Sequence, residues 1–246
     1  MRRLRYLLFL ALTSTAFAQG QSSATREVFL RLLAFDITAV PPESFALDPA
    51  APPPVTPLAA PIKGYLNHEG TTLKLYGNEI IFSKSANAED AKKTELHLAK
   101  VNLPKTGNRF ILVFLPSGNN TYRVLPLSDT VKDFPLGSYR VISLSRLPIK
   151  LTLEDKPYEF NPGDSKLIED PPVQANNHSA MYCFAQKDGK WQKIAAGLWP
   201  HPGKKRSVEV FFDNPETQQT ELRGFKDISP PSASSAPAPG ATPSPP

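Results

Sequence analysis

Short hydrophobic runs separated by turn residues recur along most of this chain. Within residues 95–101, for example, Leu96 and Leu98 alternate with His97 and Lys100, a period typical of a strand with one buried face. The same pattern predicts strands over residues 27–38, 72–76, 79–83, 95–101, 109–115, 121–125, 138–144, 149–153, 158–160, 181–187, 190–195, 207–212 and 220–225. No strand–helix–strand rhythm interrupts them, so a parallel α/β sheet is not expected.

Turn residues indicate how some of these strands pair. Gly77-Asn78 and Asp188-Gly189 are two-residue signals that predict tight hairpins. Longer polar loops at 116–120 and 213–216 predict two further hairpins. The single helix candidate is the short polar segment 86–93.

This density of short strands predicts an all-β fold, namely an antiparallel β-sandwich, with two tandem immunoglobulin-like or similar sandwich domains. We place an N-terminal β domain at residues 19–128 and a C-terminal β-sandwich domain at 129–228, each about 100 residues long. Segments 109–115 and 206–212, about 97 residues apart, have similar sequences. An internal repeat would explain the likeness, and so would the general similarity of β-hairpins.

Two proline-rich stretches punctuate the chain. Residues 41–61 contain Pro52-Pro53-Pro54 and favour polyproline II, so we expect a surface loop that joins no sheet interior. Residues 229–246 contain only Ser, Pro, Ala, Gly and Thr, which leaves almost nothing to bury and predicts a disordered tail.

The N-terminus predicts export. Arg2, Arg3 and Arg5 precede a short apolar run, and Ala16-Phe17-Ala18 is a cleavage signal, so residues 1–18 are expected to be a signal peptide. Removing these three arginines from a formal net charge of +5 leaves about +2, which gives no support to nucleic-acid binding. No later stretch is long and apolar enough to predict a membrane span.

Two loops that bracket the predicted 181–195 hairpin carry the chemistry that suggests a binding site. Their candidate binding residues are Asn177, His178, Trp199, His201, Lys204 and Arg206. Because an antiparallel hairpin brings its open ends together, these groups could form a platform for a sugar ring or an anion. The alternative is that Trp199 closes the domain edge and the neighbouring prolines stiffen a turn.

A copper site is a further alternative. Blue-copper centres use two histidines, a cysteine thiolate and a methionine, and His178, Met181, Cys183 and His201 lie close in sequence. Their order argues against it, since His and Met here precede Cys. Cys183 is the only cysteine, so no internal disulfide is expected, and a buried small side chain is its simplest interpretation.

No motif predicts catalysis. The chain contains no G-x-S-x-G elbow, no H-E-x-x-H zinc helix and no Walker loop, which are the signals of common hydrolase and nucleotide sites. We therefore expect a protein that is not an enzyme and uses no cofactor.

The C-terminal half carries a series of short motifs at residues 134–145 (FPLGSYRVISLS), 158–163 (YEFNPG), 169–172 (EDPP), 176–179 (NNHS), 199–203 (WPHPG) and 223–225 (RGF). In these motifs it resembles a group of secreted, all-β bacterial proteins of unknown function. It implies an exported β-sandwich and brings no activity, substrate or functional residue with it.

The sequence thus predicts an exported, non-catalytic structural or binding protein of the bacterial cell envelope. Its expected partner is an envelope protein or a glycan, and nucleic acid is not expected. Two alternatives are a carbohydrate-binding module that uses the aromatic and histidine loops, and a cupredoxin-like metal-binding protein.

Overall fold

The protein is built almost entirely from β-strands. The computed structural model describes residues 25–41, 43–90 and 93–228, and it assigns no α-helix within them. Short 3-10 turns occupy Ile37–Ala39 and Thr94–Leu96. The all-β prediction is therefore confirmed, whereas the expected signal peptide (1–18) and C-terminal tail (229–246) lie outside the described residues.

The strands that precede residue 129 form two sheets. In spatial order, sheet A contains β4 (Thr71–Leu75), β1 (Arg26–Ala34), β7 (Arg109–Pro116) and β8 (Tyr122–Ser128). In the same order, sheet B contains β3 (Leu58–Ala59), β2 (Phe45–Leu47), β5 (Glu79–Ser83) and β6 (His97–Asn102).

The strands that follow residue 129 form two more. Sheet C contains β12 (Ser165–Ile168), β9 (Tyr139–Ser143), β15 (Arg206–Asp213) and β16 (Thr220–Asp227). Sheet D contains β11 (Lys156–Phe160), β10 (Ile149–Leu153), β13 (His178–Lys187) and β14 (Lys190–Pro200).

Both halves follow the same path through their two sheets. Each strand from β1 to β8 has a counterpart eight strands later at the same position in the corresponding sheet. The first strand of each half lies parallel to the seventh, as β1 with β7 and β9 with β15, and the remaining ladders are antiparallel. The segments with similar sequences are thus equivalent strands, which begin at Arg109 and Arg206. The described chain contains an internal structural repeat.

The Asp188-Gly189 hairpin forms as predicted. Both residues have positive φ, at 50° and 74°, the backbone conformation that a type I′ turn requires. Gly77-Asn78, by contrast, does not form a hairpin, because β4 belongs to sheet A and β5 to sheet B. The Asp48 carboxylate accepts hydrogen bonds from the amides of Tyr76 and Gly77, so it holds a corner at which the chain changes sheet.

Two other local predictions differ from the structure. The proline-rich segment 41–61 is not only a loop, since β2 and β3 lie in it and pair at one side of sheet B. Val55 from the same segment packs on Leu47 and Ile81. The expected helix at 86–93 does not form in the part of that segment that is described, and residues 91 and 92 lie outside it.

Three apolar clusters hold the sheets together. One fills the first sandwich, between sheets A and B, and another fills the second sandwich, between sheets C and D. A third joins the two sandwiches, because the outer side of sheet A packs on sheet C. In β7 the odd positions Ile111 and Val113 contact the other sandwich, and the even position Leu112 points into its own core. A strand buried on both faces reads as a continuous hydrophobic run.

Four buried charged side chains lie at this interface and form what we call the interface ion cluster. Arg31 on β1 donates to both carboxylate oxygens of Asp129 at 2.8 and 2.6 Å and to both of Asp227 at 3.1 and 2.8 Å. Arg206 at the start of β15 donates to Asp227 at 2.9 Å and also to Asp129. The four side chains are at most 4% exposed. Two positive and two negative charges therefore balance away from water.

Backbone carbonyls complete the coordination of both guanidinium groups. Arg31 donates to Leu66 O at 2.8 Å, and Arg206 donates to Phe134 O at 2.8 Å while lying over the Phe134 ring. Burial alone would lower the pKa of Arg31, but the hydrogen bonds that it donates to Asp227 and Asp129 outweigh this and raise it. The cluster links the middle of β1 to the end of β8, the start of β15 and the end of β16.

We expect Asp227→Asn to lower the free energy of unfolding by about 3–5 kcal/mol, because removing one member of a buried ion pair leaves its partner uncompensated. Denaturant unfolding of the variant measures this. Asp188→Asn in the exposed hairpin turn is the matched control and should change stability by less than about 0.5 kcal/mol. Equal stability of both variants would contradict a structural role for the cluster.

Candidate functional site

The two loops predicted to form a platform do meet. The β13–β14 ladder places His178 opposite Pro200, and the amide of His201 donates to Asn177 O at 2.8 Å. The histidine rings are held locally: His178 Nδ1 lies 2.8 Å from Asn176 O, and His201 Nδ1 accepts from the amide of Gly203 at 3.0 Å. Asn177 and the two histidines thus share one end of the second sandwich.

Two of the proposed platform residues are not on that surface. The Trp199 side chain is buried and stacks on Tyr139, with ring centroids 4.5 Å apart and planes at 23°. Arg206 is fully buried in the interface ion cluster, while the neighbouring Lys204 is exposed. The prediction that Trp199 forms an aromatic platform at these loops is therefore wrong. Its side chain closes the edge of the sandwich, which is the alternative interpretation of this residue.

The sulfur atoms considered for copper lie in the core of the second sandwich. Cys183 Sγ is 3.1 Å from Met181 Sδ, and both residues belong to its apolar cluster. Burial raises the pKa of Cys183 to about 12, which opposes the thiolate that binds metals. Across the described ranges, no group of three or more His, Cys, Asp or Glu side chains is arranged to hold a metal ion.

Sequence reasoning missed a buried carboxyl group in the same core. Glu209 is the fourth residue of β15 and corresponds to Leu112, the fourth residue of β7 and a fully buried core residue. Burial raises the pKa of Glu209 to about 7. Ser207 Oγ donates to Glu209 Oε1 at 2.7 Å, and a Cβ atom at Gly224 would lie 2.6 Å from Oε2. The glycine makes room for this carboxyl group.

A cleft of about 1430 Å³ lies between the two sandwiches. It opens where β15 turns into β16, at the other end of these strands from the interface ion cluster. Phe35 from the first sandwich and Phe212 from the second meet there edge to face, with centroids 4.9 Å apart. The Arg223 guanidinium lies 4.8 and 5.4 Å from these two ring centres and donates to Phe35 O at 2.7 Å.

Cationic side chains outnumber carboxylates along this cleft. The five cationic lining residues are Arg123, Arg146, Lys187, Lys193 and Arg223. The three carboxylates are Asp36, Asp213 and Glu216.

Asp213 is already engaged within the protein. Its carboxylate accepts hydrogen bonds from Ser145, Thr220 and Arg146. Burial alone would raise the pKa of Asp213, but these bonds lower it. With Asp213 and Arg146 counted as a pair, four cationic side chains remain against Asp36 and Glu216, so the side chains that line the cleft carry a net positive charge.

Comparison with known proteins does not place the chain in a family. No family model matches the chain, and no curated protein matches it in sequence. Within the described residues, no helix is long and apolar enough to cross a bilayer.

The raised pKa of Glu209 predicts that the stability of the protein depends on pH. Because its pKa is raised from 4.5 to about 7 in the folded protein, the folded state binds more protons than the unfolded state between these values. The contribution of Glu209 is therefore most favourable below pH 4.5 and is lost as the pH rises through 7. The loss is on the order of 3 kcal/mol.

We expect Glu209→Gln to remove this slope. The measurement is denaturant unfolding between pH 4.5 and 8, expressed as the difference between the wild type and the variant. Glu159→Gln, at an exposed strand position, is the control and should leave the slope unchanged. If the free energy of unfolding changes with pH in the same way in the wild type and in Glu209→Gln, the fold does not raise the pKa of this carboxyl group.

Proposed function

We propose that this chain is an exported, non-catalytic binding protein of the bacterial cell envelope, and that its ligand binds in the cleft between the two sandwiches. The observation that carries the proposal is the cationic cleft, to which both halves contribute side chains. Its volume of about 1430 Å³ exceeds the roughly 300–1,000 Å³ of small-molecule pockets. The cleft therefore suits an oligomeric ligand.

The charge of the cleft indicates the class of ligand. Guanidinium groups bind carboxylates with paired, directional hydrogen bonds. Arg123 and Arg146 supply two such groups at the cleft wall, and the Nε of Arg146 is already paired with Asp213. The Phe35–Phe212 pair adds apolar surface beneath Arg223. A carboxylate-bearing oligomer, either an acidic peptide segment or an acidic sugar chain, matches these groups.

The packing between the sandwiches supports a preformed site. The shared apolar cluster and the interface ion cluster join sheet A to sheet C, so the cleft walls have a fixed separation. Because the side chains of a preformed site need little ordering when a ligand binds, less of the binding free energy is lost to that ordering.

A binding role also fits where the perturbed groups lie. Burial raises the pKa values of Glu209, Tyr139 and Cys183, and all three residues face the core of the second sandwich. Catalytic acids and bases with shifted pKa values usually line the substrate cleft. These three groups do not, and the pKa of Asp213 in the cleft is lowered because its hydrogen bonds outweigh the effect of burial.

Export predicts that the mature protein begins at Gln19. Cleavage after Ala18 should give a chain that lacks Arg2, Arg3 and Arg5. Intact-mass measurement of protein from the periplasmic and culture fractions tests this, with the variant Ala16→Asp/Ala18→Asp as the control that should block processing. Full-length protein in the cytoplasmic fraction would overturn the export proposal.

The cleft is tested by calorimetry with hexaglutamate and hexagalacturonate as separate probes. We expect at least one to bind, and Arg123→Gln/Arg146→Gln to weaken that binding about tenfold or more, since each tenfold change corresponds to about 1.4 kcal/mol. The control Lys74→Gln/Lys100→Gln removes the same charge from exposed strand positions of the first sandwich.

The two probes distinguish a peptide from a sugar source of the carboxylates. Binding of neither probe, or equal affinities of the two double variants, would overturn the cleft as the ligand site.

A further inference from the structure

The outer face of sheet D is open, whereas the equivalent face of the first sandwich is covered by its own chain. On sheet B, the outward side chains of Leu47 and Ile81 are buried under Val55 of the proline-rich segment. On sheet D, by contrast, Tyr182 is 43% exposed and Leu198 is 65% exposed. The repeat therefore shows a cover over this face in the first sandwich that the described part of the second lacks.

The difference arises in one connection between strands. In the first sandwich, residues 48–57 join β2 to β3 and include Pro52-Pro53-Pro54 and Val55. The equivalent connection in the second sandwich joins β10 to β11 through Glu154 and Asp155 alone. Because a two-residue turn is too short to fold back over a sheet, a cover for sheet D has to come from elsewhere.

The open face presents a row of large apolar side chains. Tyr182 and Phe184 alternate with the buried residues of β13 and therefore point outward. On β14, Trp191 and Leu198 lie opposite the outward positions of β13 on either side of this pair, and directly opposed residues share a face of the sheet. With about 3.3 Å per residue along a strand, the row is roughly 20 Å long.

A second proline-rich segment, residues 229–246, begins at the same end of the sandwich as this row. It starts one residue after the end of β16. Asp227 at that end pairs with Arg206 at the start of β15, and residues 201–205 join β14 to β15. The end of β14, where Leu198 lies, is therefore on the same side of the sandwich as the start of residues 229–246.

The length of this segment suffices to cover the row. Residues 229–246 include seven prolines, and in polyproline II they would span about 56 Å at about 3.1 Å per residue. Stacked sheets lie about 10 Å apart, so the segment can pass from sheet C around the edge of sheet D and follow the whole row.

We propose that residues 229–246 pack on the outer face of sheet D as an extended polyproline II segment, in the same way that the β2–β3 connection covers sheet B. Aromatic-lined surfaces bind proline-rich segments in this conformation. Polyproline II leaves its backbone carbonyls without internal partners, and the Tyr182 hydroxyl and the Trp191 indole N–H are donors that suit them. The contact is separate from the inter-sandwich cleft and does not depend on the function proposed for it.

The tether favours this occupant over a proline-rich segment of another molecule. A short link to the sandwich holds the segment at an effective concentration on the order of millimolar. The segment contains no charged side chain. On the face, Lys150 lies 5.2 and 4.6 Å from the ring centres of Phe184 and Trp191 and is paired across the ladder with Glu159, so an uncharged cover leaves this pair in place.

Trp191 reports on the contact, because the other tryptophan, Trp199, is buried. The measurement is acrylamide quenching of tryptophan fluorescence in the mature chain. We expect Pro237→Ser/Pro239→Ser/Pro243→Ser to raise the quenching constant about twofold, because it weakens the polyproline II preference of the segment and uncovers Trp191.

The matched control is Ser232→Ala/Ser234→Ala/Ser235→Ala, which keeps every proline and should leave the quenching constant unchanged. Tyr182→Ala tests the same contact from the side of the sheet and should raise the constant. In a Trp191→Phe background, the proline and serine variants should be quenched equally.

A spin label distinguishes a segment that covers its own chain from one that covers a second copy. Cys183 is buried, so Ser235→Cys supplies the thiol that reacts with a nitroxide reagent. The indole N–H signal of Trp191 should lose at least half of its intensity in spin-labelled, ¹⁵N-enriched protein. It should keep its intensity when ¹⁵N-enriched protein without the label is mixed with spin-labelled protein of natural isotope content.

The proposal fails if the proline variant and the serine control are quenched equally, or if the Trp191 signal is unaffected in the spin-labelled chain. Loss of signal in the mixed sample as large as that in the labelled chain would assign the face to a second copy and would also contradict it.

Discussion

The relation between the two sandwiches depends on four charges held away from water. Moving a carboxylate or a guanidinium into a protein interior costs several kcal/mol per ion. In this cluster Arg31 binds both carboxylate oxygens of Asp129 and of Asp227, and Arg206 donates one hydrogen bond to each aspartate. Each arginine bonds to both aspartates, one from each sandwich. The Arg31–Asp227 and Arg206–Asp129 hydrogen bonds cross between the sandwiches, so the ion cluster favours one arrangement of sheets A and C.

The contacts between the two sandwiches differ from one end of β15 to the other. The ion cluster lies at the start of β15 and the end of β16, the apolar contacts of Val208 and Val210 follow along β15, and the cleft opens where β15 ends. The interface is thus fixed at one end and open at the other. A cleft formed in this way has walls set by sheets rather than by loops, which is the arrangement expected of a preorganised binding site.

The repeat shows how equivalent positions have taken different roles. Arg109 and Arg206 begin equivalent strands, but Arg109 lies 4.2 Å from the ring centre of Phe29 in its own sandwich, whereas Arg206 enters the ion cluster. Leu112 fills the first core, whereas Glu209 occupies that position in the second. The shared topology therefore determines where side chains lie, and the individual residues determine whether a position serves packing, the interface or a binding surface.

The strands and the Asp188-Gly189 hairpin are predictable because alternation and turn chemistry are local. Features that depend on distant partners are not: the corner at Gly77 requires Asp48, and the ion cluster joins residues up to 196 positions apart. The Lys204-Lys205-Arg206 run, which resembles a solvated basic turn, contains a fully buried arginine for the same reason.

The two tryptophans show most directly what cannot be predicted from the sequence. Trp191 and Trp199 are eight residues apart on β14, so an uninterrupted strand would place both on one face. The register of the β13–β14 ladder shifts between Cys183 and Phe184, and this irregularity turns Trp199 into the core while Trp191 stays on the outer face. Because no local signal marks the shift, the sequence points to the wrong tryptophan for an aromatic surface.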